Sequence, residues 1–123
     1  MSNAALAAWV GLAGAALAIS SASAIDGIYH GKGSDPGGYR WQLYAKITRL
    51  PNGQYRTDVQ STNASCASQT EGFGILRGRT LKVAGSCSLT IHFDGRSARI
   101  VEGKGCTEHG TTYSFDGILH TKR

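Results

Sequence analysis

From Arg40 to Ser61 the chain alternates so regularly that an antiparallel ribbon is the simplest structure that accommodates it. Trp41, Leu43, Ala45 and Ile47 fall on one face, and Arg40, Gln42, Tyr44, Lys46 and Thr48 fall on the other. Pro51-Asn52-Gly53 then breaks the pattern. Proline presets φ for the first turn position, asparagine tolerates the second, and glycine takes the left-handed position of a three-residue loop. Such a loop sets Ile47 against Thr57, Ala45 against Val59 and Leu43 against Ser61, and keeps both strands apolar on one face. A two-residue Asn-Gly turn would instead set Ile47 against Asp58, which a buried face does not tolerate.

A second hairpin follows from Cys87, Leu89, Ile91 and Phe93, which alternate with Ser88, Thr90 and His92 ahead of Asp94-Gly95. Read as a type I′ turn, Asp94-Gly95 places Ile91 opposite Ala98 and Leu89 opposite Ile100. It also sets Glu102 opposite Cys87, pointing inward. Further strands are expected at Ile25–Gly31, Thr70–Arg77, Thr80–Ala84 and Thr112–His120, with Gly78-Arg79 as the turn between the fourth and fifth. No stretch beyond residue 25 carries a 3.6-residue apolar period.

The two ends of this region echo each other. Asp26-Gly27-Ile28-Tyr29-His30 opens it, and Asp116-Gly117-Ile118-Leu119-His120 nearly closes it. Similar first and last strands suit a sheet closed on itself, which removes exposed edges. The expected fold is therefore all-β: a small antiparallel up-and-down barrel of about eight short strands, its interior filled by side chains.

Residues 1–24 read differently. Ala4–Ile19 is apolar and uncharged, and Ser20-Ser21-Ala22-Ser23-Ala24 ends in the small-x-small pattern of a signal-peptidase site. The run is shorter than the roughly 20 residues a membrane-crossing helix needs. The expected organisation is a signal peptide over 1–24 and a single β-barrel domain over 25–123. The mature domain would then be periplasmic or secreted, with no stable membrane insertion after cleavage. All 13 Lys and Arg and all 8 Asp and Glu follow the leader, so the net charge of +5 belongs to the barrel. The basic residues are spread among the strands without forming an arm or helical stripe, which argues against nucleic acid. They suit weak attraction to the anionic polymers of a cell envelope.

Three cysteines in an oxidising compartment imply one disulfide and one remaining thiol. Cys66–Cys87 and Cys87–Cys106 would close loops of similar length, each contributing roughly 3 kcal/mol in the chain-entropy model. Cys106-Thr107-Glu108-His109-Gly110 is the most distinctive cluster. Cys106 and His109 have the chemistry of a metal pair or a thiolate–imidazole pair, and Glu102 is a nearby inward carboxylate. A second ligand pair with zinc spacing is missing, as are an oxyanion motif and an orienting third residue. A connection whose histidine bonds backbone is the simpler reading, and no catalytic, metal or cofactor site is expected. Gly31-Lys32-Gly33-Ser34 lacks the spacing of a phosphate loop and reads as a solvent loop continuing through Gly38. Asn63-Ala64-Ser65 fits a glycosylation acceptor by pattern alone, and the carboxylates show no glycosidase-like pairing.

Cys87-x-Leu89-x-Ile91-x-Phe93, Ala98-x-Ile100-x-Glu102, Cys106-x-x-His109-Gly110 and Phe115-x-Gly117 together resemble a group of small exported proteobacterial proteins with compact antiparallel barrels. In that pattern a further cysteine lies two residues before the phenylalanine, where this chain has Tyr113. The resemblance implies a local pair for the last two cysteines and a pair for the first two. With Tyr113 in place, it leaves Cys106 single and Cys66 bonded to Cys87. A looser likeness is to periplasmic lysozyme inhibitors, although their inhibitory motif has no counterpart here and a +5 protein would be repelled by a basic lysozyme. The expected function is non-enzymatic binding of an envelope component or protein through a basic surface. Inhibition of a secreted hydrolase such as a lysozyme is the alternative.

Overall fold

The computed structural model describes residues 25–64 and 66–121; the leader expected over 1–24 lies outside them. Eight antiparallel strands follow in chain order: β1 (Gly27–Ser34), β2 (Arg40–Arg49), β3 (Tyr55–Thr62), β4 (Ala67–Arg77), β5 (Thr80–Gly85), β6 (Leu89–Asp94), β7 (Ser97–Glu102) and β8 (Gly117–Thr121). Each pairs with its sequence neighbour and β8 returns to β1, so the sheet is a closed up-and-down barrel. The echo marks the closing seam, where His30 lies opposite His120. It also has a polar role beyond strand propensity. Asp26 accepts a hydrogen bond from the Arg49 backbone N–H at one end of the barrel. Asp116 accepts one from the Glu102 backbone N–H at the other.

Alternate side chains point inward from every strand and meet in one core. It includes Tyr29, Leu43, Ile47, Val59, Leu81, Ile91, Ile100 and Leu119, all nearly inaccessible to solvent. All eight strands, this core and the disulfide lie within residues 25–121. A Cβ added to Gly31 would collide with the backbone of Ile118 and Leu119 on β8. Gly31→Ala is therefore expected to cost about 1–3 kcal/mol by overpacking, as a shift in urea midpoint would show. Gly38→Ala, with open space around its Cβ, would be strained by the positive φ of that residue alone.

The first hairpin has the expected register: Ile47 opposes Thr57, Ala45 opposes Val59 and Leu43 opposes Ser61. Gly53 takes the left-handed position, with φ of 88°. The second hairpin is shifted by two residues. Ile91 opposes Ile100, Leu89 opposes Glu102 and Phe93 opposes Ala98, around a loop of Gly95-Arg96. Gly95 has φ of 63° and, among the described residues, no non-glycine residue has positive φ, so Asp94 ends β6 and glycine leads the turn. Glycine at the first central position is the signature of a II′ turn. Gly78-Arg79 repeats that arrangement between β4 and β5, with φ of 62° at Gly78. A two-residue shift preserves side-chain parity, so the apolar face is unaffected while every cross-strand partner changes.

Several strand boundaries also differ from expectation, and two of them bear on the crowned end. Gly31–Ser34 belongs to β1, and the solvent loop begins only at Asp35. At the other end, β8 starts at Gly117 rather than Thr112, because residues 103–116 form a long connection.

Candidate functional site

The barrel has two unlike ends. Short turns (50–54, 78–79 and 95–96) close one; the connections at 35–39, 63–66, 86–88 and 103–116 crown the other. The longest of these folds back over the mouth. Phe115 is wholly buried and Tyr113 nearly so, both continuous with the barrel core. The Ser61 hydroxyl donates to the Ser114 carbonyl at 2.5 Å. Asn63 donates to Thr112 at 2.9 Å, and the Tyr113 and Ser68 hydroxyls lie 2.7 Å apart. The Trp41 indole N–H donates to the Asp116 carbonyl at 2.8 Å. The segment is a plug, tied to β2, β3 and β4.

Glu102, the last residue of β7, meets Cys106 and His109 of this plug. Glu102 does point inward, at the end of β7, but its partners are not those of the expected register. Its Oε2 accepts the Phe115 backbone N–H at 2.6 Å. The same carboxylate receives His109 Nε2, 2.8 Å from Oε2 and 3.0 Å from Oε1. His109 Nδ1 lies 2.6 Å from the Gly110 carbonyl. Both imidazole nitrogens thus face oxygens that can only accept, which requires a proton on each and makes the ring an imidazolium. Burial opposes that charge, but the Gly110 carbonyl and the Glu102 carboxylate outweigh it and hold the pKa of His109 above its ordinary 6.5. The edge of the ring packs on Phe115, with centroids 5.5 Å apart.

The disulfide expectation is corrected here. Cys87 bonds Cys106, not Cys66, with 4.5 Å between Cα atoms. The reason is the path of the plug. The Gly103 N–H donates to the Ser88 carbonyl, which extends the β6–β7 ladder and carries 103–106 alongside Cys87. Cys66 sits exposed in the β3–β4 connection, outside the bridge. Tyr113 reaches Ser68 on β4 and lines the same hollow as Cys106 and His109.

This pairing decides the chemistry of the cluster. The Glu102 carboxylate, the His109 imidazole and Cys106 Sγ lie within 4.8 Å of one another, close enough to surround a cation. Cys106 Sγ is nevertheless bonded to Cys87, so it offers neither a thiolate ligand nor a nucleophile. His109 has both nitrogens engaged as donors. Glu102 and His109 are a partly buried ion pair that fastens the plug, and Cys106 anchors it covalently.

A candidate recognition surface lies elsewhere on the crowned end. A groove of about 880 Å³ runs over β8, β1 and β2, bordered by Lys32, Arg40, Gln42, Asn63 and Ile118. Lys32 opposes both Gln42 and Ile118, and Arg40 opposes Ser34, so the two cations project from neighbouring strands. No carboxylate lines the groove. Among the described residues, neither Lys32 nor Arg40 has one within ion-pair distance. The sequence pattern conceals this site, because Lys32 falls in a stretch that reads as a solvent loop and Arg40 is one of many scattered basic residues. Comparison with protein-family models, with curated proteins and with solved structures gave no match.

Proposed function

We propose that this protein is an exported, non-enzymatic binding domain that engages an anionic component of the cell envelope. The observation that carries this reading is the groove bordered by Lys32 and Arg40, with the Gln42 amide beside them and no carboxylate in its wall. Such a surface suits carboxylate- or phosphate-bearing polymers, whose charge two cations can neutralise while the amide bonds a neighbouring hydroxyl. Export is supported by the leader-like pattern of residues 1–24 and by the Cys87–Cys106 bridge, which persists in oxidising compartments.

The test uses immobilised peptidoglycan and lipopolysaccharide with residues 25–123. Retention should weaken as salt rises, because exposed charges are screened within about 8–10 Å at physiological ionic strength. Lys32→Glu/Arg40→Glu should lower affinity at least tenfold without changing the melting temperature, since both side chains face outward. Retention of the double variant equal to that of the parent would overturn the reading. Potent inhibition of a muramidase, undiminished by the same substitutions, would favour the hydrolase-inhibitor alternative.

A further inference from the structure

Half-way round the barrel from the basic groove, nearer the short-turn end, the outer wall of β4 and β5 carries a second surface of a different kind. Phe73 and Ile75 stand side by side on the outside of β4, 44% and 51% exposed. Across the β4–β5 ladder, Ala84 opposes Phe73 and Lys82 opposes Ile75. Arg77 extends the row on β4. These five residues border a shallow depression of about 410 Å³ that contains no carboxylate. Arg56, flanking it on β3, is already occupied by Asp58 and Glu71. Among the described residues, Arg77 and Lys82 have no carboxylate within ion-pair distance.

Adjacent exposed aromatic and aliphatic side chains form a contiguous apolar patch, which water does not favour. Their setting indicates what covers them. Arg77 and Lys82 sit at the border of the patch on long stems that can bury their methylenes while the charged heads reach outward. That combination matches the interface of an anionic bilayer, where apolar side chains enter the acyl boundary and basic groups meet phosphates. The geometry points to the β4–β5 wall as a peripheral docking surface for anionic phospholipid, inserting Phe73 and Ile75 and pairing Arg77 and Lys82 with headgroups. This surface is separate from the basic groove and stands or falls independently of it.

Co-sedimentation of residues 25–123 with vesicles tests the inference. Binding should be weak to phosphatidylcholine and clear once phosphatidylglycerol is included. Each cation near the surface is worth about five-fold in partitioning, so Arg77→Ser/Lys82→Ser should lose about 25-fold. Phe73→Ser/Ile75→Ser should lose binding at high salt, where insertion alone holds the protein. Phe73→Trp should become quenchable by spin-labelled lipid, whereas Trp41 is buried and contributes only background. Lys32→Ser/Arg40→Ser should bind vesicles as the parent does. Equal binding to both vesicle types, no binding to either, or undiminished binding by both patch variants would overturn the proposal. So would loss of binding confined to the groove variant.

Discussion

Replacing Glu102 with leucine is expected to destabilise the barrel by about 3 kcal/mol, more than any single outward-facing substitution would. The carboxylate holds two groups at once, the Phe115 N–H and the His109 imidazolium, and its side chain is only 14% exposed. Removing one member of a buried ion pair leaves the other charge without compensation, at a typical cost of about 3–5 kcal/mol. The residual exposure of the pair places the expectation at the lower end. Glu102→Gln keeps an acceptor for Phe115 and loses only the charge, so about 1–2 kcal/mol is expected. Urea denaturation of both variants checks the order. Equal losses would mean that the charge alone matters and the acceptor kept for Phe115 does not.

The same pair makes stability depend on pH in a definite direction. The pKa of His109 is raised on folding, so protonation favours the folded state. The contribution is complete below the unfolded value of about 6.5 and disappears as pH climbs through the higher folded value. The stability difference between the parent and His109→Gln should therefore be largest in mildly acidic solution and shrink above neutrality. A difference that grew with pH would contradict an imidazolium at this position. Glu102→Leu should weaken the pH dependence of that difference, leaving the Gly110 carbonyl and Asp116 to favour the charged ring.

Removing the bridge is the second large effect. Cys87→Ala/Cys106→Ala opens a loop spanning 19 positions, for which the chain-entropy model gives about 3 kcal/mol. Cys87 is buried, so truncating it adds a packing loss. Domains of this size are stable by roughly 5–15 kcal/mol, so the double variant should melt far lower, with its plug exchanging amide hydrogens before the strands do. Peptide mapping of the unreduced protein should recover Cys87 joined to Cys106, and native alkylation should label Cys66. Recovery of a Cys66–Cys87 peptide would contradict this connectivity.

The parts of this fold that were legible in the sequence are those governed by parity. Trp41 through Ser61 could be registered because only one loop length keeps Ile47 away from Asp58, and Pro51-Asn52-Gly53 supplies that loop. The pattern of the β6–β7 hairpin gives the right strands and the right face, but Asp94-Gly95 and Gly95-Arg96 both suit a two-residue turn. Glycine's freedom decides between them only once the strand ends are known. Glu102 could be seen to point inward, yet its partners come from a connection whose path depends on Phe115 and Tyr113 entering the mouth, and no short-range pattern encodes that. The disulfide depended on the same path. The basic groove was illegible for another reason: Lys32 and Arg40 become neighbours through the β1–β2 ladder, while in the sequence each is only one charge among many.

Closure of β8 onto β1 also fixes where the chain enters and leaves. Ile25 and Thr121 both lie at the short-turn end, away from the plug. A tether, affinity tag or reporter attached at either terminus would hang from the base of the molecule and leave the crown open. Immobilised through its ends, the protein would present Lys32 and Arg40 toward the surrounding fluid, a convenient orientation for measuring capture in both directions.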